Sequence, residues 1–428
     1  MTVDSATRGL KSDSANKPLM GIRVLDLTQF LSGPYCTQIL SDLGADVVKV
    51  ESPEGDLTRQ IPPHFVGGDS VYFLALNRGK KSIAVDLKTA DGQRLVCDMV
   101  CAHDIVVENF RPGVLARLGI SAEVLRKEKP SLIWCSISGF GQDGPYRDKP
   151  AYDMIVQAMS GGMSLTGEEG GTAVRAGIPI GDICAGMYGV IGILAALNRR
   201  NNTGLGDYID ISMLDCQAAM LSYQAAYHLH SGETPKRQGA GHDSIPTYRA
   251  FPASDDREVV VTANTERMWQ GLCRVLDLAD LIDSPEFGTN KARFANRHKL
   301  WPILCDAFRG KPAAEWVTLL EKEQVPAAVV NDISQAVQDA QIRHRNMVAT
   351  LRGKENTVRV MGDPIVLASS DRVSFGFPPG LGQDTVSVLT QTLGLEQDRI
   401  DDLINRGVIS STRSRIDHRG RRKVQNKK

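Results

Sequence analysis

Ile22-Arg23-Val24-Leu25-Asp26-Leu27, then Ser32-Gly33-Pro34, then Leu43-Gly44-Ala45-Asp46-Val47-Val48-Lys49-Val50-Glu51: this stretch decides the fold. A short apolar run ends in a turn. Pro34 suits the first position of a helix, because its ring presets the helical φ and its missing N–H is not needed there. The helix runs to about Leu43, where Gly44 supplies the left-handed stop. Asp46–Val50 is a second apolar run. Strand, helix, strand is the unit that joins parallel neighbours in a sheet. The alternation continues with strands at Ser82–Asp86, Ile105–Val107 and Leu132–Ser136, and helices at Gly92–Cys101 and Ser121–Glu128. The spacing predicts an α/β domain with a largely parallel sheet. No G-x-G-x-x-G follows any of these strands, which argues against a nicotinamide enzyme, and there is no P-loop.

Downstream, Tyr152–Ser160 reads as a helix, Gly161–Gly171 as a loop, and Pro179–Leu197 as an apolar helix holding one acid, Asp182. Gly186, Gly189 and Gly192 form a ridge on that helix. Each glycine costs about 1 kcal/mol against alanine, so the ridge implies a close approach by another backbone or a thin ligand. Asp182 stands where the helix should begin. It reads as an N-cap or as a carboxylate nucleophile, and a helix N-terminus favours the anion that either role needs. Tyr208–Ser212 is a strand and Met213–His230 a long helix. Gly232–Ile245 reads as a mobile loop. A smaller α+β domain follows, with a strand at Val259–Ala263 and helices at Glu266–Leu276, Asn290–Phe308 and Pro312–Glu323. Helices near Asp384–Leu393 and Asp398–Asn405 return to the first domain. The expected organisation is a disordered lead-in over 1–17, a large domain over 18–225, a small domain with its linkers over 226–330, a return segment over 331–409, and a basic disordered tail over 410–428.

The chain has 428 residues, with 50 basic and 50 acidic side chains. That length predicts two or more domains, and the charge balance gives no reason to expect nucleic acid or a membrane surface as partner. Ile183–Leu197 is too short and too glycine-rich for a bilayer span. The eight cysteines form no C-x-x-C pair, so reduced thiols in a cytoplasmic protein, without a metal site, are expected.

The motifs come in a fixed order. Gly21–Leu27 with Ser32-Gly33-Pro34 is followed by Leu43–Glu51, Gly55-Asp56-Leu57-Thr58-Arg59, Asn77–Ser82 and Val107-Glu108-Asn109-Phe110-Arg111-Pro112-Gly113. Then come Ser138-Gly139-Phe140-Gly141, Ala151-Tyr152-Asp153 and Gly181-Asp182. This series, from about Pro18 to Ile409, resembles the family III CoA-transferases (the CaiB/BaiF type), which include formyl-CoA:oxalate and carnitine CoA-transferases. Gly241–Ile245 and Thr247–Phe251 look most like the subgroup that moves CoA from succinyl-CoA to glutarate or related dicarboxylates. The resemblance implies a Rossmann-like large domain, a smaller α+β domain and an interlocked homodimer, with a related second subunit as the variant. It implies acyl-CoA and a free carboxylic acid as substrates, with no tightly bound cofactor.

It also implies roles. Asp182 is the nucleophile, carrying CoA as an aspartyl thioester. Asp153 supports it, or is a helix N-terminal acid. Gly239 and Gly241 lie where the family has a glycine loop over the site, and His242 helps to seat the substrate or is an ordinary loop histidine. Asn109, Arg117 and Tyr152 match CoA contacts. Arg175 would receive a second substrate carboxylate, or else form a structural ion pair. The formyl-CoA transferase pattern has glutamine at the position of Leu31 and a basic residue near Ser52, and the departure at both argues against oxalate or formate. An α-methylacyl-CoA racemase of the same fold would need a histidine where Tyr152 stands, for proton shuttling. A non-catalytic CoA-binding subunit would not need an intact Asp182.

Overall fold

The computed structural model describes residues 17–369 and 375–411. The lead-in over 1–16 and the basic tail from 412 lie outside the described residues. The chain divides into two compact units. The large one comprises residues up to 162, 176–222 and from 344, and the small one comprises 163–175 and 223–343.

In the large unit, β1 (Arg23–Asp26), α1 (Ser32–Asp42) and β2 (Asp46–Glu51) form the βαβ unit. The rest of its main framework is β3 (Lys81–Val85), α2 (Ala90–Ala102), β4 (Ile105–Glu108), α3 (Ala122–Glu128), β5 (Ile133–Ser138), α4 (Asp153–Met159), α5 (Ile180–Thr203), β6 (Tyr208–Ser212), α6 (Met213–Met220), α7 (Thr385–Leu393), α8 (Gln397–Asn405) and β7 (Ile409–Ser410). The sheet order is β7-β3-β2-β1-β4-β5-β6. Strands β1 to β6 are parallel, in registers such as Leu25 with Val48 and with Val106, and β7 adds an antiparallel edge against Val85. The order 3-2-1-4-5-6 is the doubly wound arrangement.

Both sheet faces are covered, so the strands read as continuous apolar runs. Leu25, Val48, Ile83, Val106 and Trp134 pack with Leu95 and Met99 of α2, Val388 and Leu389 of α7, and Ile400 and Leu403 of α8. The returning helices therefore belong to this unit. Val24, Val47, Ile105, Val107, Cys135 and Ile137 pack on the other face with Cys36 and Leu40 of α1 and with Ala185, Val190 and Ile193 of α5. By length and composition α5 is apolar enough to cross a membrane, and half of its most apolar window is buried inside this fold.

Three local readings are corrected. Helix α1 begins at Ser32, so Pro34 occupies its third position, still within the turn whose N–H groups have no helical partner. The helix expected over Met213–His230 is two helices, 213–220 and 222–231, broken at Ser222, which adopts a left-handed φ of 47°. The run expected over Asn290–Phe308 likewise breaks at Asn296. A strand at Val348–Arg352, not foreseen, pairs with Thr357–Met361.

The small unit has a three-stranded antiparallel sheet, Tyr248–Pro252, Glu258–Thr262 and Ala327–Val329. Helices Glu266–Val275, Arg297–Phe308 and Ala313–Lys322 bury Phe251, Trp269, Phe308 and Trp316 with it.

Candidate active site

Ligands of doubly wound sheets bind outside the carboxyl ends of the strands, where the strand order reverses. Here that point lies between β1 and β4. The turn after β1 is tied to β4 there. Leu27 N–H donates to Val107 O at 2.9 Å. Asn109 accepts from Gln29 N–H at 2.8 Å and donates to Gln29 O at 2.8 Å. Phe30 is held at φ 64°. The turn delivers Ser32 to the start of α1.

Asp182 faces that turn. Helix α5 begins at Ile180 with Pro179 as its cap residue, which places Asp182 third in the helix and corrects the N-cap reading. The cap hydrogen bond comes instead from α4: Asp153 Oδ1 accepts Gly181 N–H at 2.7 Å, and its Oδ2 accepts from Gln157 at 2.7 Å. Burial first, and then the nearby Asp153 charge, push the Asp182 carboxyl up to about 7, against hydrogen bonds from the Ser32 hydroxyl and backbone N–H that favour the anion. Asp182 is half-buried, so its carboxylate combines raised basicity with access.

The glycine ridge behind Asp182 serves packing within the chain. A Cβ on Gly186 would lie 2.7 Å from Ser32 O, one on Gly189 3.1 Å from Cys36 Sγ, and one on Gly192 2.9 Å from the Ile209 side chain. The close approach read from the sequence is that of α1 and β6, and Gly186 is what lets Ser32 come up beside Asp182.

Of the other sequence-derived residues in this unit, Tyr152 is 67% exposed and meets Phe30 edge-to-face at 6.2 Å. Arg117 is exposed on the short helix Val114–Arg117. Its guanidinium and that of Arg147 flank Gly113, 3.2 and 3.5 Å from where a Cβ would stand. Leu31 is buried at the cap of α1, and the Ser52 hydroxyl bonds Gly55 O.

Arg175, Gly239, Gly241 and His242 belong to the small unit. Gly239 has φ 62°, and a Cβ there would meet the Glu168 carboxylate at 2.8 Å. Gly241 bridges to Arg249. The His242 ring stacks between Tyr223 and Tyr248, and its Nδ1 accepts Ser244 N–H at 3.1 Å. Arg175 is exposed.

Sequence reading missed three groups. Ser32 enters the sequence reading only within the Ser32-Gly33-Pro34 motif, with no role of its own. Tyr72, on the helix Val71–Leu76, has its phenol pushed up to about 12 by burial and then by Asp182, Asp56 and Asp153, so it stays a neutral donor beside the acids. Arg147 carries no pattern of its own.

The chain matches the model of CoA-transferase family III over residues 19–385. It is 38% identical to a human succinyl-CoA:glutarate CoA-transferase, over 93% of this chain and 92% of that protein. It is 39% identical to an Acetobacter aceti acetyl-CoA:oxalate CoA-transferase, over 83% and 90%. A crystal structure of a CAIB/BAIF family protein from Brucella suis superposes with a TM-score of 0.80 at 37% identity, covering 88% of this chain and all of that one.

Proposed function

The chain belongs to CoA-transferase family III, and from that premise we propose that it moves CoA from succinyl-CoA to a dicarboxylic acid through a thioester on Asp182. The observation that carries this is the half-buried carboxyl of Asp182, raised to about 7 and met by two donors of Ser32. A carboxylate of that basicity is a better nucleophile than an ordinary aspartate, yet is substantially ionised at neutral pH.

The steps balance without an added reagent. An Asp182 oxygen bonds to the thioester carbonyl carbon and the C–S bond breaks, leaving a mixed anhydride and CoA thiolate. The thiolate attacks the Asp182 carbonyl and succinate leaves as its carboxylate. The acceptor carboxylate then attacks the aspartyl thioester, releasing thiolate and forming a second anhydride. The thiolate attacks the acyl carbonyl of that anhydride, forming the new CoA ester and restoring the Asp182 carboxylate. Each addition develops an oxyanion, for which the Ser32 hydroxyl and N–H, and the neutral Tyr72 phenol, are the donors at hand. Arg117 and Arg147 suit the CoA phosphates. Asn109 and Tyr152, which meet Gln29 and Phe30 of the turn, are proposed as further CoA contacts. Arg175 and His242 are proposed for the distal carboxylate of the acceptor, and Gly239 and Gly241 for the loop next to His242.

Glutarate is the acceptor we favour, with malate, citramalate, itaconate and aryl-substituted succinates as competitors. Because an oxalate enzyme is equally similar, oxalate joins the test. The purified protein is incubated with succinyl-CoA and each acid, and new CoA esters are followed by mass spectrometry. Glutaryl-CoA is expected to form fastest; preference for oxalate would overturn the choice of glutarate, and preference for a monocarboxylic acid added to the panel would overturn the dicarboxylate assignment.

A homodimer is part of the proposal. Met187, Tyr188, Ile191 and Leu194 on α5 and Met154, Ile155 and Met159 on α4 are large, apolar and exposed, the kind of surface a second chain covers. A monomer mass in light scattering at micromolar concentration would overturn it, and an unlike second subunit in native mass spectrometry would replace it with a mixed complex. The eight free cysteines fit a reducing compartment such as the cytoplasm.

A further inference from the structure

Three sequence motifs lie outside the chemistry just described: Lys49–Glu51, Gly55–Arg59 and Asn77–Ser82. Their charged side chains are buried behind the turn that carries Ser32. Asp26, Lys49, Asp56 and Lys80 are each no more than 5% exposed. Lys80 Nζ donates to Asp26 Oδ2 at 3.0 Å, Thr37 Oγ1 at 2.7 Å, Asn77 Oδ1 at 2.9 Å and Pro34 O at 3.0 Å. Lys49 Nζ donates to Thr28 O at 2.6 Å and pairs with Asp56 Oδ2 at 3.0 Å. Asp26 Oδ1 accepts Thr28 N–H at 2.9 Å and its hydroxyl at 2.5 Å. Asp56 Oδ1 lies 3.5 Å from Phe30 N.

Every one of these charges reaches the Thr28–Pro34 turn. The two ammonium groups take its first and last carbonyls, and the two carboxylates face its N–H groups at Thr28 and Phe30. Burying four charges is costly unless each is paired and hydrogen-bonded, and an apolar filling would stabilise the fold at least as well. What charges add is direction, because a buried ammonium fixes the carbonyl that it meets.

We propose that Asp26, Lys49, Asp56 and Lys80 form a positioning device for the reaction, holding the Thr28–Pro34 turn so that Ser32 presents its hydroxyl and N–H to Asp182. This rests on Asp182 being the nucleophile. None of the four touches the reacting atoms in this scheme; they act through the turn.

The test reads the acidic limb of kcat/KM for succinyl-CoA, which reports ionisation of the free enzyme. The groups facing Asp182 are Ser32 from α1, Asp153 from α4 and Tyr72 from the helix 71–76. Ser32→Ala removes one donor to the anion, so the limb moves to higher pH, by about one pH unit. Lys80→Met is expected to move it the same way, and Lys80→Met added to Ser32→Ala to move it by less than the sum, since both act through one contact. A folded Lys80→Met enzyme with the wild-type limb overturns the proposal, as does full additivity. If Lys80→Met alone does not fold, Asp26→Asn/Lys80→Met removes both charges and is read in the same way. Failure of that pair to fold also overturns it, because the network would then carry the fold rather than the turn. Hydroxylamine trapping on the wild type separates the two ideas. A hydroxamate elsewhere than Asp182 fails the nucleophile assignment, whereas a hydroxamate on Asp182 with unmoved limbs fails only the positioning role.

Discussion

Two aspartates meet the same short turn from different elements. Asp26, at the end of β1, is fully buried. Burial alone would raise its carboxyl, but Lys80 and Lys49, with hydrogen bonds from Thr28 and Thr37, outweigh that and hold it well below the usual carboxylate range. Asp182, in the first turn of α5, is only half-buried. It has no cation among the causes of its shift, and it has Asp153 as a neighbour, so its carboxyl is raised to about 7. The more buried acid is the firmly ionised one. Burial raises both carboxyls and is the largest single cause at each; the charge states differ because cations outweigh it at Asp26 and none does at Asp182. The first acid is committed to ion pairs and hydrogen bonds within the fold, and the second is the one proposed to form bonds with substrate.

The sharpest way to break the comparison is to remove the second acid. Asp182→Asn keeps the shape and removes the nucleophile, and transfer should fall by at least about four orders of magnitude. Product CoA ester counted by mass spectrometry checks this, and retained turnover would return Asp182 to a structural role. The variant should also melt no lower than wild type at pH 8, because a raised carboxyl that must ionise opposes folding as the pH climbs through about 7. Removing the first acid should do the reverse. Asp26→Ala leaves the buried Lys80 ammonium without its paired carboxylate and should cost about 3–5 kcal/mol of stability, read as a lowered urea midpoint. A wild-type midpoint would mean that the lysines find water or other partners, and that the contrast between the acids is not built into the fold.

The sequence carried the sheet and the proposed nucleophile by different signals. Apolar runs at 22–27, 46–50 and 105–107 read as strands because they are short and alternate with helix-length segments. Asp182 was legible only through the order of motifs; taken alone it looked like a cap. The charges around Asp26 were not legible. Lys49 lies inside a strand and Lys80 just before one, and nothing local says that either turns inward, since the pairing joins residues 26, 49, 56 and 80 across three strands. The break at Ser222 was hidden too, because no glycine or proline marks it. The glycine ridge announced a close approach but not what approached. That was α1, whose Ser32 the ridge admits to the site.

The smallest expected effect is the most discriminating, because it tests the neighbour rather than the acid. Asp153 plays two parts: its Oδ1 caps Gly181 N–H, and its charge lifts Asp182. Asp153→Asn keeps an oxygen for the cap and removes the charge. If charge is what matters, Asp182 ionises more easily and the acidic limb of kcat/KM moves down by about one pH unit. It should stop well above the ordinary aspartate value, because burial, the larger cause, remains. The new amide nitrogen would face Gln157 Nε2, donor to donor, where Oδ2 now accepts at 2.7 Å, so a lower plateau should accompany the shift. Height and position of the profile thus separate the two parts: a lower plateau with an unmoved limb makes Asp153 a cap and nothing more. An upward limb would mean that capping Gly181 stabilises the Asp182 anion more than the adjacent charge opposes it. The contrast with Asp26 would then rest on the two lysines that Asp26 has and Asp182 lacks.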